Sequence, residues 1–218
     1  MGKFAVIGLG NFGTTLVKAL FEQGHEVVCL DQSEELVQAA QRFSTYGLVG
    51  QATDKNLLAS LQVKNMDAVF VSLGEELAAS ILVTLHLRDL GAKRIIAKII
   101  SEDHGRILMK VGAHEVIFPE RDMALNVANY VSSPSIMKYL DLSPEYSIVE
   151  VVPPEKFIGK TLAEAGVRRD YGVNVIGIKD VLRDQITMNP PANFVIKDSD
   201  VLVVIGHRED IARLTQEK

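Results

Sequence analysis

The chain has no tryptophan, a single cysteine, few aromatic residues and no run of lysines or arginines in its 218 residues. Each shortage excludes something. One cysteine, Cys29, cannot close an intrachain disulfide, and histidines at positions 25, 86, 104, 114 and 207 are too scattered to read as a zinc cluster. His25, His104 and His114 are expected at element ends on the surface, and Cys29 is expected to pack as a small apolar residue inside a strand. With 23 basic against 28 acidic residues the net charge is −5, which lacks the basic footprint of a nucleic-acid binder. The longest stretch without Asp, Glu, Lys or Arg runs from Met123 to Met137, about 15 residues, and contains Asn, Ser and Pro. A bilayer crossing needs about 20 mostly apolar residues. Met1-Gly2-Lys3 leads directly into an apolar run that reads as a strand rather than a signal peptide, so the expected location is the cytoplasm.

What is present describes a folded α/β protein. Hydrophobic residues make up 47% and charged residues 23%, the balance of an ordinary globular chain. Up to residue 118, short apolar runs alternate with longer amphipathic stretches. Lys3–Gly8, Glu26–Leu30, Tyr46–Gly50, Ala68–Ser72, Arg94–Lys98 and Glu115–Phe118 have strand composition, and nearly every one is apolar on both faces. Runs of that kind separated by helical patterns mark a parallel sheet covered on both sides. The helical patterns are Asn11–Gln23, Ser33–Arg42, Asp54–Leu61, Glu75–Leu90 and Glu102–Val111. Six βα units in succession predict a Rossmann-like doubly wound domain.

Asp122–Leu140 reads as one more amphipathic helix, with Met123, Val127, Tyr130 and Val131 on its apolar face and Ser132-Ser133-Pro134-Ser135 interrupting it. Its apolar face has no strand of its own domain left to cover, which predicts a crossing helix at a subunit interface. The expected domains are therefore 1–140 and a small α+β domain at 145–218. In the latter, Tyr146–Val152, Val173–Ile178, Gln185–Met188 and Val201–Ile205 read as strands, and Leu162–Ala165 and Arg208–Leu214 as helices.

The chemistry-bearing motif is Gly8-Leu9-Gly10-Asn11-Phe12-Gly13, which follows the first strand and opens the first helix. Gly8 permits the turn, Gly10 lets a phosphate approach the backbone, and Gly13 allows helix and strand to pack closely. The free N–H groups of the helix then face the anion. Asp31, at the end of the second strand, supplies a carboxylate for ribose hydroxyls and would repel a 2′-phosphate. NAD(H), ATP, ADP and AMP all satisfy this pattern. Gln32 beside Asp31, Ala52-Thr53-Asp54 after the third strand and Ser72-Leu73-Gly74 after the fourth are expected adenine and ribose neighbours, because ligands of such sheets sit at the carboxyl ends of strands.

An NAD-dependent oxidoreductase is the alternative reading, and it would need an acid or base near the nicotinamide. The residues four positions after Tyr46, Tyr130, Tyr139, Tyr146 and Tyr171 are Gly50, Pro134, Ser143, Glu150 and Val175, so no Tyr-x-x-x-Lys motif exists. No cluster of His, Lys or paired carboxylates follows the glycine domain either. A binding protein without catalytic residues is the expectation.

Several blocks together resemble a known family. Phe4–Gly13, Gly24-His25-Glu26-Val27-Val28, Ala52-Thr53-Asp54, Gly112-Ala113 and Pro119-Glu120-Arg121-Asp122-Met123 are similar to RCK domains (TrkA-N) that regulate bacterial potassium uptake. Leu142–Glu150, Gly159-Lys160-Thr161-Leu162, Val167–Ile178 and Val203–Asp210 resemble the small RCK C-domain (TrkA-C). With one RCK copy, the likeness is nearest to KtrA-like subunits of Ktr systems and more distant from TrkA. The resemblance implies a gating ring: N-domains dimerise, and the dimers form a homo-octamer beneath a membrane-embedded, KtrB- or TrkH-like potassium-translocating subunit. An adenine nucleotide then changes the ring's shape.

The resemblance also implies roles for single residues. Gly8, Gly10 and Gly13 hold phosphates, Asp31 the ribose, and Thr53 and Asp54 the adenine side, with Asn11, Phe12 and Gln32 as further expected cofactor-binding residues. Lys98 matches a basic position near the terminal phosphates. Glu120 matches a carboxylate that in some members helps hold Mg²⁺ or Ca²⁺ between two nucleotides of a dimer. Members that respond to ATP often carry Arg after the second glycine, and Asn11 here supplies no charge. That moves the expectation toward a diphosphate, a monophosphate or NAD(H). In the small domain, Arg168, Val173, Asn174, Val175 and Pro191 fall where some KtrA proteins bind cyclic di-AMP.

Overall fold

The computed structural model describes residues 1–74, 76–132, 136–143 and 145–216. Two compact units divide it, Met1–Glu120 and Arg121–Lys218.

In the first unit, six strands form one sheet: β1 (Lys3–Ile7), β2 (Glu26–Asp31), β3 (Tyr46–Val49), β4 (Ala68–Val71), β5 (Ile95–Lys98) and β6 (Glu115–Ile117). All pairings are parallel and the order is β3-β2-β1-β4-β5-β6. Between them run α1 (Asn11–Glu22), α2 (Glu34–Ala40), α3 (Lys55–Ser60), α4 (Leu77–Asp89) and α5 (Glu102–Val111), and α6 (Pro119–Ser132) follows β6. This is the doubly wound arrangement expected from the alternation of apolar runs.

Period-two alternation sends the apolar residues of the central strands to two cores, one on each face of the sheet. Ala5, Ile7, Val28, Leu30, Val69 and Val71 point to one core, with Leu58, Leu87 and Leu108 among its helical partners. Val6, Val27 and Cys29 point to the other, with Val17 and Val37. Both faces are covered, as a parallel sheet requires. Cys29 is buried inside β2 as expected. The strand order reverses between β1 and β4, where the chain leaves β1 toward β2 on one side and β4 receives it on the other. A crevice opens at that point in such sheets.

Most helices of this unit begin at a side-chain cap. Ser33 Oγ accepts from Leu36 N–H, Asp54 from Asn56 and Leu57 N–H, and Ser101 Oγ from His104 N–H. Each satisfies N–H groups that a helix leaves open. Helices α1 and α4, preceded by Gly10 and Glu76, have no such cap.

The second unit holds an antiparallel sheet of β7 (Ile136–Asp141), β8 (Tyr146–Val151), β9 (Asn174–Asp180), β10 (Gln185–Met188) and β11 (Asp200–His207), in the order β10-β9-β11-β8-β7. Helices α7 (Leu162–Ala165), α8 (Val167–Tyr171) and α9 (Arg208–Thr215) complete it. Val149, Val151, Phe157, Ile178, Leu202, Val204 and Ile211 form its core. A reciprocal Thr161–Glu164 capping box starts α7.

The structure corrects the reading of 122–140 as one helix. Helix α6 ends at Ser132, shortly before Pro134, whose ring and missing N–H cannot continue it. Ile136–Asp141 is instead a strand, paired with β8 from Ile136↔Val151 to Asp141↔Ser147. β7 belongs to the second sheet, and the chain divides into its compact units after Glu120, so that most of α6 goes with the second unit; the division expected from the sequence was at 140. Glu75, expected to open the fourth helix, and Ser133–Ser135 lie outside the described residues.

Candidate functional site

At the switch point lies a cleft of about 340 Å³. From β1 it is lined by Gly8 and Gly10, from β2 and its following turn by Asp31, Gln32 and Ser33, and from the β3–α3 turn by Gln51, Ala52 and Thr53. Ser72, Leu73 and Gly74 close it from β4. The structure therefore gathers nine of the expected residues from four separate strand ends.

The three glycines serve three different purposes. Gly8 has φ +94°, and a Cβ there would lie 2.4 Å from Ser72 O. At Gly13 a Cβ would lie 1.9 Å from Gly8 O, so the helix could not approach the strand. Gly10 differs: a Cβ would meet nothing within 4 Å, and the backbone is extended at φ −61° and ψ −174°. Only Gly10 faces open space, and it does so at the uncapped N-terminus of α1. The positive end of the helix thus adjoins the cleft at Gly10, where no side chain competes.

Asp31 organises this loop as well as lining the cleft. Its Oδ2 accepts Leu9 N–H at 2.6 Å and its Oδ1 accepts Ser33 N–H at 2.9 Å. Each carboxylate oxygen has a second lone pair, so two acceptor sites remain for hydroxyl donors. Thr14 Oγ1 donates to Leu9 O at 2.7 Å and fixes the loop from the helix side. Gln51 Nε2 donates to Gln32 Oε1 at 2.9 Å, tying two lining residues together.

The remaining expected residues stand elsewhere. Asn11, Phe12 and Gly13 form the first turn of α1 and lie outside the lining. Asp54 caps α3 with its side chain. Lys98, at the end of β5, is ion-paired with Glu120, and the Lys98 hydrogen bond holds the Glu120 carboxyl below the usual range. Among the described residues no group of three His, Cys, Asp or Glu side chains could hold a metal ion. Glu120 alone, committed to Lys98, does not make a Mg²⁺ or Ca²⁺ site within one chain.

Sequence reasoning missed Ser33, Leu36, Gln51, Glu76 and Ala79, which also line the cleft. The last two belong to the start of α4, and the apolar pattern of that helix carried no signal that its first turn borders the cleft.

It also misjudged His104. The imidazole is 1% exposed, beneath the first turns of α4 and α5. Ser80 Oγ donates to Leu77 O at 2.9 Å, so the 2.8 Å contact between Ser80 Oγ and His104 Nε2 is a donation from the ring. Nδ1 finds no partner among the described residues, and burial pushes the His104 pKa down. Gly105 and the apolar neighbours Ile99 and Val116 close round this turn, which is why it is not on the surface. His25 and His114 do stand at element ends, accepting Gly2 and Ile95 N–H.

In the second unit, Arg168 on α8, Asn174 at the start of β9 and Pro191 are exposed. Val173 is wholly buried and Val175 packs against the same core. Those two side chains hold the sheet to its helices.

A Rossmann-like unit with an open glycine loop, followed by a small antiparallel unit, is the architecture of the TrkA-N/TrkA-C class. The TrkA-N domain matches residues 4–119 and the TrkA-C domain residues 146–217, and the chain belongs to this family. Its relatives are specific. It is 40% identical over 211 residues to Ktr system potassium uptake protein C of Bacillus subtilis, covering 97% of this chain and 95% of that one. Ktr system potassium uptake protein A of the same organism is 38% identical over 215 residues, covering 99% and 96%. These matches bear out the resemblance read from the sequence blocks. Among solved structures, the GsuK RCK domain superposes with a TM-score of 0.68 at 23% identity, covering 99% of this chain and 47% of that one. The GsuK channel bound to NAD gives 0.66, covering 98% and 38%. The chain thus spans about half, or less, of those longer proteins, which share its fold.

Proposed function

We propose that this chain is a regulatory subunit of a potassium uptake system, binding an adenine nucleotide in the β1–β4 cleft and controlling ion flux by changing the shape of an assembly. The observation that carries this reading is the open Gly10 cradle at the uncapped α1, set beside the Asp31 carboxylate. Phosphate and ribose are the two groups that this pair of donors and acceptors matches. Near-full-length identity to two Ktr potassium uptake proteins supports the transport role.

The nucleotide acts as an effector, not as a reactant. The described lining holds no His, Lys, Tyr or Cys that could pass a proton to a nicotinamide. To act as a switch, the ligand must bind two conformations of the assembly with different affinity. A coupling of about 1–3 kcal/mol per site is typical of allosteric proteins, and eight such sites in a homo-octameric ring add up to a strong bias.

The partner is a membrane-embedded potassium-translocating subunit, which keeps this chain at the cytoplasmic face of the membrane. No helix among the described residues is long and apolar enough to cross a bilayer by itself. Met123, Val127 and Val131 recur every four residues on α6 and are 63%, 39% and 65% exposed. That stripe supports a homodimer formed through α6. A divalent cation near Glu120 would need donors from outside the single chain. Cyclic di-AMP binding rests on the exposed Arg168, Asn174 and Pro191.

Mass spectrometry of the nucleotide that copurifies with the protein tests the central reading: an adenine nucleotide is expected, unchanged after incubation. Turnover of NADH in a hydride-transfer screen would support the oxidoreductase instead. Light scattering should give a dimer or larger, and a 24 kDa monomer at micromolar concentration would contradict the assembly.

A further inference from the structure

We infer that Glu76 makes the cleft selective for a dinucleotide of the NAD(H) type over ATP, a specificity that rests on the adenine-nucleotide reading above. The argument starts from topology. In the order β2-β1-β4, Asp31 stands at the end of β2, the glycine loop at β1, and Ser72, Gly74 and Glu76 beyond β4. A nucleotide whose ribose meets Asp31 and whose first phosphate meets Gly10 therefore sends its distal part toward Glu76.

The distal part differs between the two ligands. In ATP it is a chain of phosphates ending in a dianion. In NAD(H) the two phosphates are diesters with one charge each, and the next group is a second ribose with two hydroxyl donors. A carboxylate accepts hydrogen bonds from a diol and repels a phosphate dianion. Asp31 presents this chemistry at one end of the cleft, and Glu76 repeats it at the other.

Among the described residues of the chain, the charges lining the cleft do not offset Glu76. Lining residues among those described include two carboxylates, Asp31 and Glu76, and no Lys, Arg or His. Glu76 is exposed at the rim, at the cap position of α4, and its side chain caps no N–H group. Lys98, the basic residue that could serve a terminal phosphate, is held by Glu120. The open end of α4 contributes roughly half a positive charge, less than the unit charge of the carboxylate. Replacing Glu76 by Gln removes that charge and leaves the helix end to attract phosphate.

The test is calorimetric titration of the full-length protein, freed of copurified nucleotide, with NAD, NADH and ATP, in EDTA and again with Mg²⁺. Wild type should bind NAD or NADH more tightly than ATP in both conditions. Glu76→Gln should raise ATP affinity about 5-fold at low salt, the scale of one charge acting on a dianion across roughly 8 Å of water, and should leave NAD affinity unchanged or lower. The gain should shrink as salt rises, because the screening length is about 8 Å at physiological ionic strength. Wild-type ATP binding as tight as NAD in either condition, or an ATP affinity that Glu76→Gln leaves unmoved, would overturn the role of Glu76 while the nucleotide site stands. If no adenine nucleotide binds the wild type at all, the reading of the site falls with it.

Discussion

Adding one methyl group should disrupt the fold at Gly13 and leave it nearly unchanged at Gly10. In Gly13→Ala the new carbon falls 1.9 Å from the Gly8 carbonyl oxygen and 3.0 Å from its carbon. Both are backbone atoms, so no rotamer change can relieve the overlap, and α1 must shift away from β1. Overpacking of this kind costs about 1–3 kcal/mol, and a backbone clash belongs at the upper end. For a domain of this size each kcal/mol lowers the melting temperature by about 4 °C, so a loss of about 12 °C is expected. In Gly10→Ala the methyl group meets nothing within 4 Å and the backbone is already compatible with alanine. Stability should change by less than about 1 kcal/mol, while a bulkier Gly10→Leu should abolish nucleotide binding by filling the phosphate's space. Differential scanning fluorimetry without ligand measures the first effect and calorimetric titration the second. A Gly13→Ala protein melting within 2 °C or so of wild type, or a Gly10→Ala protein as damaged as Gly13→Ala, would refute this division of labour.

Asp31→Asn removes the charge that holds the Leu9 and Ser33 N–H groups, and the loss should be about 1–3 kcal/mol of stability together with the ribose contact, read by denaturant titration and by nucleotide affinity. Ser80→Ala leaves the His104 Nε2–H without an acceptor in a closed interior and should cost about 1–3 kcal/mol by the same denaturation assay. His104 also gives a pH dependence. Its folded pKa lies below the unfolded value of 6.5, so the unfolded chain takes up the proton first. The contribution of His104 is therefore complete above pH 6.5 and is lost as the pH falls from there through the folded value. Melting temperature should fall between pH 7.5 and pH 5.5, less steeply in His104→Gln; equal slopes would dismiss the effect.

Local chemistry made much of the molecule readable in advance. Six apolar runs, each too short for a helix and nearly every one apolar on both faces, define a parallel sheet, and Ser33, Asp54 and Ser101 mark helix starts through hydrogen bonds to their own neighbours. The glycine spacing and Asp31 are likewise local, since strand, turn and helix are contiguous. The strand Ile136–Asp141 was not legible, because it is defined by pairing with β8, a segment that begins only at Tyr146 and whose register local sequence does not encode.

The sequence alone thus determined the alternation of elements, the glycine loop and the family, for these depend on interactions between residues close in the chain. Tertiary structure decided which glycine stays open, that Asp31 holds the loop while facing the cleft, that His104 is sealed against Ser80, and that Glu76 rims the site. Those properties arise where separate strand ends and helix turns converge, and spacing along a chain holds no record of which distant residues will meet.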